Sequence, residues 1–91
     1  MHYTVRWPDA TQTTCYSPSL VVREWLQPGQ DYPLDDFMDR VRQATAIASE
    51  RVRARYGFPC SRAAAQLAAL EDRRRHYADT DRVQVLSFDP A

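Results

Sequence analysis

Residues 34–56 read LDDFMDRVRQATAIASERVRARY, the longest periodic run in the chain. Leu34, Phe37, Val41, Ala44, Ala48, Val52 and Tyr56 recur at three- and four-residue steps, which sets them on one stripe of a 3.6-residue helix. Ile47 widens that stripe enough to serve two neighbours. Ala44 and Ala48 thin its middle, so another backbone can approach closely. Pro33 stands near the first helical position, with Asp35, Asp36 and Asp39 after it. Arg51, Arg53 and Arg55 close the run before Gly57, a residue suited to a left-handed cap. Acid at the start and base at the end both favour the helix macrodipole. Asp36 and Arg40 add an acid-before-base pair at the i,i+4 spacing.

On the N-terminal side, Tyr3, Val5 and Trp7 alternate with His2, Thr4 and Arg6, the period-two pattern of a half-buried strand. Pro8-Asp9-Ala10 is turn chemistry, and Thr11 to Tyr16 follows at hairpin spacing. Ala10 occupies a position where glycine would ease the turn. Ser17 and Pro18 read as a capping hydroxyl and a first-turn proline, predicting a short helix over Ser19 to Leu26. Gln27 to Tyr32 reads as loop. After Gly57, Phe58-Pro59-Cys60 turns the chain and Ser61 caps a third helix. Ala63, Ala64, Leu67, Ala68, Leu70 and Tyr77 form the apolar side of that helix. Asp79-Thr80-Asp81 ends it, and Arg82 to Phe88 reads as a last strand. In that strand Val83 and Val85 lie on one face, Leu86 and Phe88 on the other.

The expected fold is α+β, one domain over residues 1–91, in the order β-β-α-α-α-β. A three-stranded antiparallel sheet, made of the N-terminal hairpin and the C-terminal strand, packs on two long helices and one short one. Ninety-one residues suffice for one modest core. The net charge is zero, which supplies no bulk attraction to nucleic acid or an anionic membrane. Every basic residue is arginine, a residue suited to paired surface contacts. No apolar run is long enough to span a bilayer, and the first residues carry no signal-peptide core, so a cytoplasmic location is expected.

Catalytic chemistry finds no motif. With two glycines in the chain, a phosphate-cradling loop or dinucleotide fingerprint has no material. Asp35, Asp36 and Asp39 are explained by the helix start they occupy. No cofactor is expected. Cys15 and Cys60 are far apart, and His2 and His76 sit in unrelated contexts, so no metal set forms. The two cysteines are candidate reactive thiols, set against the plainer reading of two reduced, partly buried ones. Arg51-Val52-Arg53-Ala54-Arg55 and Arg73-Arg74-Arg75 carry the only nucleic-acid signal, and both lie where helix ends attract cations. Among the aromatics, Trp7, Tyr16, Trp25 and Tyr32 are the candidate partner-binding residues, because tryptophan and tyrosine beside loops are common interface anchors.

Five segments have an order and spacing of their own. They are Arg6-Trp7-Pro8-Asp9, Cys15-Tyr16-Ser17-Pro18-Ser19, Tyr32-Pro33-Leu34-Asp35-Asp36-Phe37, Ala48-Ser49-Glu50-Arg51-Val52 and Tyr56-Gly57-Phe58. Together they resemble a family of small bacterial nitrogen starvation response proteins, from about Tyr3 into the third helix. Members are encoded beside a nitrilase, a radical SAM enzyme, an acetyltransferase and a flavin-dependent enzyme. The resemblance implies a cytoplasmic accessory role in a nitrogen-linked or small-metabolite pathway, with an enzyme of the same gene cluster as partner. It carries no catalytic residues. A small-molecule-binding or cysteine-dependent enzyme subunit is the alternative, and a nucleic-acid regulator a third. Exposed strand edges also allow a homodimer.

Overall fold

A computed structural model describes residues 1–90. Four strands and two α-helices are present: β1 (His2–Arg6), β2 (Gln12–Tyr16), β3 (Asp31–Pro33), α1 (Leu34–Tyr56), α2 (Ser61–Arg73) and β4 (Arg82–Asp89). The sheet is antiparallel in the order β2-β1-β4-β3, so the C-terminal strand pairs with the first as the apolar pattern requires.

The α+β class stands, with two differences in detail. The segment read as loop contains a fourth strand, β3. Only Tyr32 of its three residues is buried, which is too short a stretch to display alternation. Pro33 lacks an N–H, and this edge position makes no demand for one. The second difference is the short helix, which is a 3-10 helix over Leu20–Glu24 rather than an α-helix from Ser19 to Leu26. Its capping oxygen is that of Ser19, which accepts from the Val21 N–H at 3.3 Å. Ser17 is buried and donates instead to the Ser19 carbonyl at 2.8 Å. β-branched Val21 and Val22 disfavour longer helical propagation, and the segment survives because both are buried. The third helix starts at Ser61, with Cys60 in the cap position, and its last turn over Arg74–His76 tightens to 3-10 geometry.

Burial follows the stripe on α1 through its first two thirds. Leu34, Phe37, Met38, Val41, Ala44 and Ala48 are buried, and all but Ala48 share one core with Val5, Trp7, Leu26, Val83 and Val85. Arg42 reaches Glu71 of α2 at 2.7 Å, tying the helices together at their rim. The helix start has no side-chain cap. Its orphan N–H groups are met by distant carbonyls: Leu34 donates to Asp81 at 2.8 Å and Asp35 to Asp79 at 3.2 Å. Arg40 pins the 3-10 segment to α1, donating to the Trp25 carbonyl at 2.7 Å and to Asp36 at 3.0 Å.

β4 departs from simple alternation. Val5 pairs with Val85, but Thr4 pairs with Ser87, leaving Leu86 unpaired in a bulge. The bulge shifts the phase by one residue. Phe88 therefore pairs with Tyr3 and packs against the core beside Val83 and Val85, not on the opposite face with Leu86.

The β1–β2 turn is a three-residue loop. Ala10 N–H donates to the Trp7 carbonyl, Trp7 N–H to the Thr11 carbonyl, and Ala10 has φ 72. That is a tight turn closed by a left-handed residue, a position glycine fills without strain and alanine does not. Ala10→Gly is expected to raise stability by about 0.5–1 kcal/mol, the relief of strain exceeding the added unfolded-state entropy. Phe37→Ala is expected to cost about 3–5 kcal/mol. Urea unfolding checks both, with opposite midpoint shifts and an unchanged slope.

Candidate interaction surface

The four aromatics singled out as partner contacts have different fates. Trp7 is 2% exposed. Its indole stacks on Tyr77 at 5.7 Å, meets the Phe37 edge at 6.0 Å, and its N–H donates to Thr13 Oγ1 at 2.8 Å. Tyr32 is also buried, its hydroxyl accepting from the Gln27 N–H at 3.0 Å while Arg40 lies over its ring. Neither ring faces solvent. Tyr16 is half-buried at the end of β2, covered by Arg62 at 3.8 Å and edged by His2 at 5.8 Å. Trp25 is half-buried and lines a shallow groove of about 320 Å³ with Val21, Glu24, Ile47 and Arg51.

An open cleft of about 790 Å³ lies beside the hairpin turn and is lined by Pro8, Asp9, Arg73, His76, Tyr77 and Asp81. Its principal cation is already committed. Arg73 donates to the Tyr77 hydroxyl at 3.1 Å and to Thr11 Oγ1, and stands 3.7 Å from Asp9. Hydrogen bonds from Thr11 hold the Asp9 carboxyl below the usual range. These contacts fasten the turn to the end of α2.

The arginine clusters divide in the same way. Arg53 pairs with Glu50, Arg74 with Asp79 and Arg75 with Asp72. Among the described residues, Arg51 and Arg55 join no ion pair.

Periodicity places Tyr56 on the buried stripe, and that expectation fails at the far end of α1. Tyr56 is 60% exposed and Phe58 65%. The stripe continues through Ala48, Val52 and Tyr56, but the sheet no longer lies beneath it. Pro18 and Ser19 meet it instead, forming a groove of about 240 Å³ bordered by Arg51 and Arg55. Gly57, with φ 84, ends the helix through a hydrogen bond to the Arg53 carbonyl and turns the chain toward Phe58. Leu20 is a further large apolar side chain, 50% exposed, close by in sequence to Pro18. The signal available from sequence is two aromatics flanking a cap glycine, beyond the last alanine of the stripe.

One feature at each sheet edge hinders pairing. At β2 the Tyr16 N–H donates to Gln66 Oε1 of α2 at 2.9 Å, and β3 is three residues long with a proline.

The two thiols differ sharply. Cys15 is fully buried opposite Tyr3, and burial pushes its pKa up from 9.0 to about 12. Cys60 is partly exposed. Native protein is expected to react with one equivalent of a thiol reagent, lost in Cys60→Ala and retained in Cys15→Ala. The second equivalent appears only on unfolding. Because the folded state holds the Cys15 proton more tightly than the unfolded chain, its contribution is intact below pH 9 and declines as pH climbs toward 12. The buried Tyr3 hydroxyl, also raised, acts in the same direction. The urea midpoint is therefore expected to fall through that alkaline window.

No helix among the described residues is long and apolar enough to cross a membrane, and no cluster of His, Cys, Asp and Glu among them could hold a metal. No curated protein and no solved structure matches the chain. A family model does: the one described as nitrogen starvation-induced protein NitG, over residues 2–88. That span takes in every strand and helix except the last residue of β4, and the chain belongs to the NitG family of nitrogen starvation-induced proteins.

Proposed function

We propose that this chain is a non-catalytic accessory protein of a nitrogen-starvation pathway that works by binding an enzyme encoded beside it. The observation that carries the reading is the overhanging end of α1. Tyr56 and Phe58 stand exposed there, with the guanidinium groups of Arg51 and Arg55 bordering the Tyr56 groove. Large apolar side chains left in water by a domain with so small a core are the kind of surface that partners cover. Tyrosine and arginine are also among the strongest interface anchors. The complementary surface is an apolar pocket rimmed by carboxylates. The family resemblance makes the nitrilase the first partner to examine.

A cysteine-dependent activity is disfavoured at Cys15, whose thiol is buried and protonated at neutral pH. The open cleft at Arg73 offers little to a ligand while its guanidinium is occupied by Tyr77 and Thr11.

Calorimetric titration of purified enzymes from the gene cluster is the test. One of them is expected to bind stoichiometrically. Tyr56→Ala and Phe58→Ala are each expected to weaken that complex by about 2 kcal/mol or more while leaving the urea midpoint nearly unchanged. Absence of binding to every one of these enzymes overturns the accessory reading. Binding that is indifferent to both substitutions overturns the assignment of the surface.

A further inference from the structure

Helix α1 presents a second surface to solvent, turned away from the sheet. Asp39, Gln43, Ile47 and Arg51 are all exposed and follow one another at four-residue steps, forming a single ridge. Its charge is antisymmetric along the helix: Asp39 and Arg51 are equidistant from Thr45, with Gln43 and Ile47 between them. Among the described residues neither charge joins an ion pair within the chain. Asp39 accepts from the Gln43 amide and Arg51 donates to Ser19 Oγ, both at exposed positions. Ile47, 37% exposed, gives the centre an apolar contact.

We infer that the occupant of this ridge is a second copy of the chain, its α1 crossing the first in the opposite sense. The two-fold axis passes between Gln43 and Ile47, at the level of Thr45 along the helix. Such an axis brings each residue against its mirror position. Asp39 then meets Arg51 of the other copy, and the pair forms twice. Helices packing through four-residue ridges cross at about 50°, which seats Gln43 and Ile47 of one copy beside Ile47 and Gln43 of the other. A pairing in the same sense would oppose acid to acid and base to base. The four-residue ridge also drifts around the helix, by about 40° at each step. Asp35 and Arg55, one step beyond either end, are thereby turned out of the contact. Strand-edge pairing is hindered, since the Tyr16 N–H at the end of β2 is taken by Gln66 of α2 and β3 is short and proline-ended. Exposed ion pairs contribute little each, so they set the register of a weak dimer that salt loosens. Arg51 borders the Tyr56 groove as well, but the Tyr56 ring itself lies on the far side of the helix from this ridge.

Sedimentation velocity over a range of concentrations at low salt tests it. Wild-type chain is expected to reach twice the monomer mass, and to return to monomer as salt is raised. Asp39→Arg and Arg51→Glu are each expected to remain monomeric, because each makes both cross pairs repulsive. Mixed in equal amounts, the two variants are expected to form a heterodimer with both cross pairs attractive. Circular dichroism verifies that each variant is folded. Tyr56→Ala and Phe58→Ala, which act on the enzyme-binding surface, are expected to dimerise as wild type does. A wild-type monomer at every concentration overturns the inference. So does either charge variant dimerising alone, or a mixture that stays monomeric.

Discussion

A mismatch of lengths governs this fold. Helix α1 has 23 residues, about 34 Å of helix, whereas the five-residue strands of the hairpin span about 17 Å. The sheet can bury only part of such a helix. The part it buries is the first two thirds, where Leu34, Phe37, Met38, Val41 and Ala44 meet the inward faces of β1 and β4. The remainder projects, and the molecule is elongated, 39 × 27 × 18 Å. α2 and the 3-10 segment pack along the flanks of α1 without extending the sheet under its end. Past Ala48 the stripe emerges, Val52 half-buried and Tyr56 exposed, by geometry and not by a polar sequence.

The start of the same helix is held by chain far away in sequence. Carbonyls of Asp79 and Asp81 receive the Asp35 and Leu34 N–H groups, so a helix beginning at residue 34 is capped by the segment that leads into β4. Pro33 can stand in the cap position without a side-chain acceptor because this backbone contact takes over the role. The arrangement makes the central helix and the last strand interdependent. Helix start, β3–β4 pairing and the burial of Val83 all rest on one junction.

Much of this is legible in the residues. The helix 34–56 has the bounds its periodicity and cap signals indicate, and the pairing of the last strand with the first follows from which strands carry apolar faces. The family is legible in five short segments. What escapes has physical causes. A three-residue strand carries no period, so β3 reads as loop. Periodicity registers the kind of side chain, not whether a neighbour lies opposite, so Tyr56 reads as core. Trp7 and Tyr32 sit beside turns, where exposed aromatics are common, yet so small a core draws them in. The bulge at Leu86 has no glycine or proline to announce it, so the face occupied by Phe88 is not what alternation indicates.

That bulge gives β4 an unusual tolerance to change in length. Elsewhere in the strand, loss of one residue would invert every side chain beyond it, turning valine outward and polar groups inward. At Leu86 the opposite holds. Removing that residue leaves Val83, Val85 and Phe88 on the same face and restores an uninterrupted ladder to β1. Leu86 is therefore the position at which this strand could gain or shed a residue over evolutionary time without rebuilding the core, giving up only its local twist.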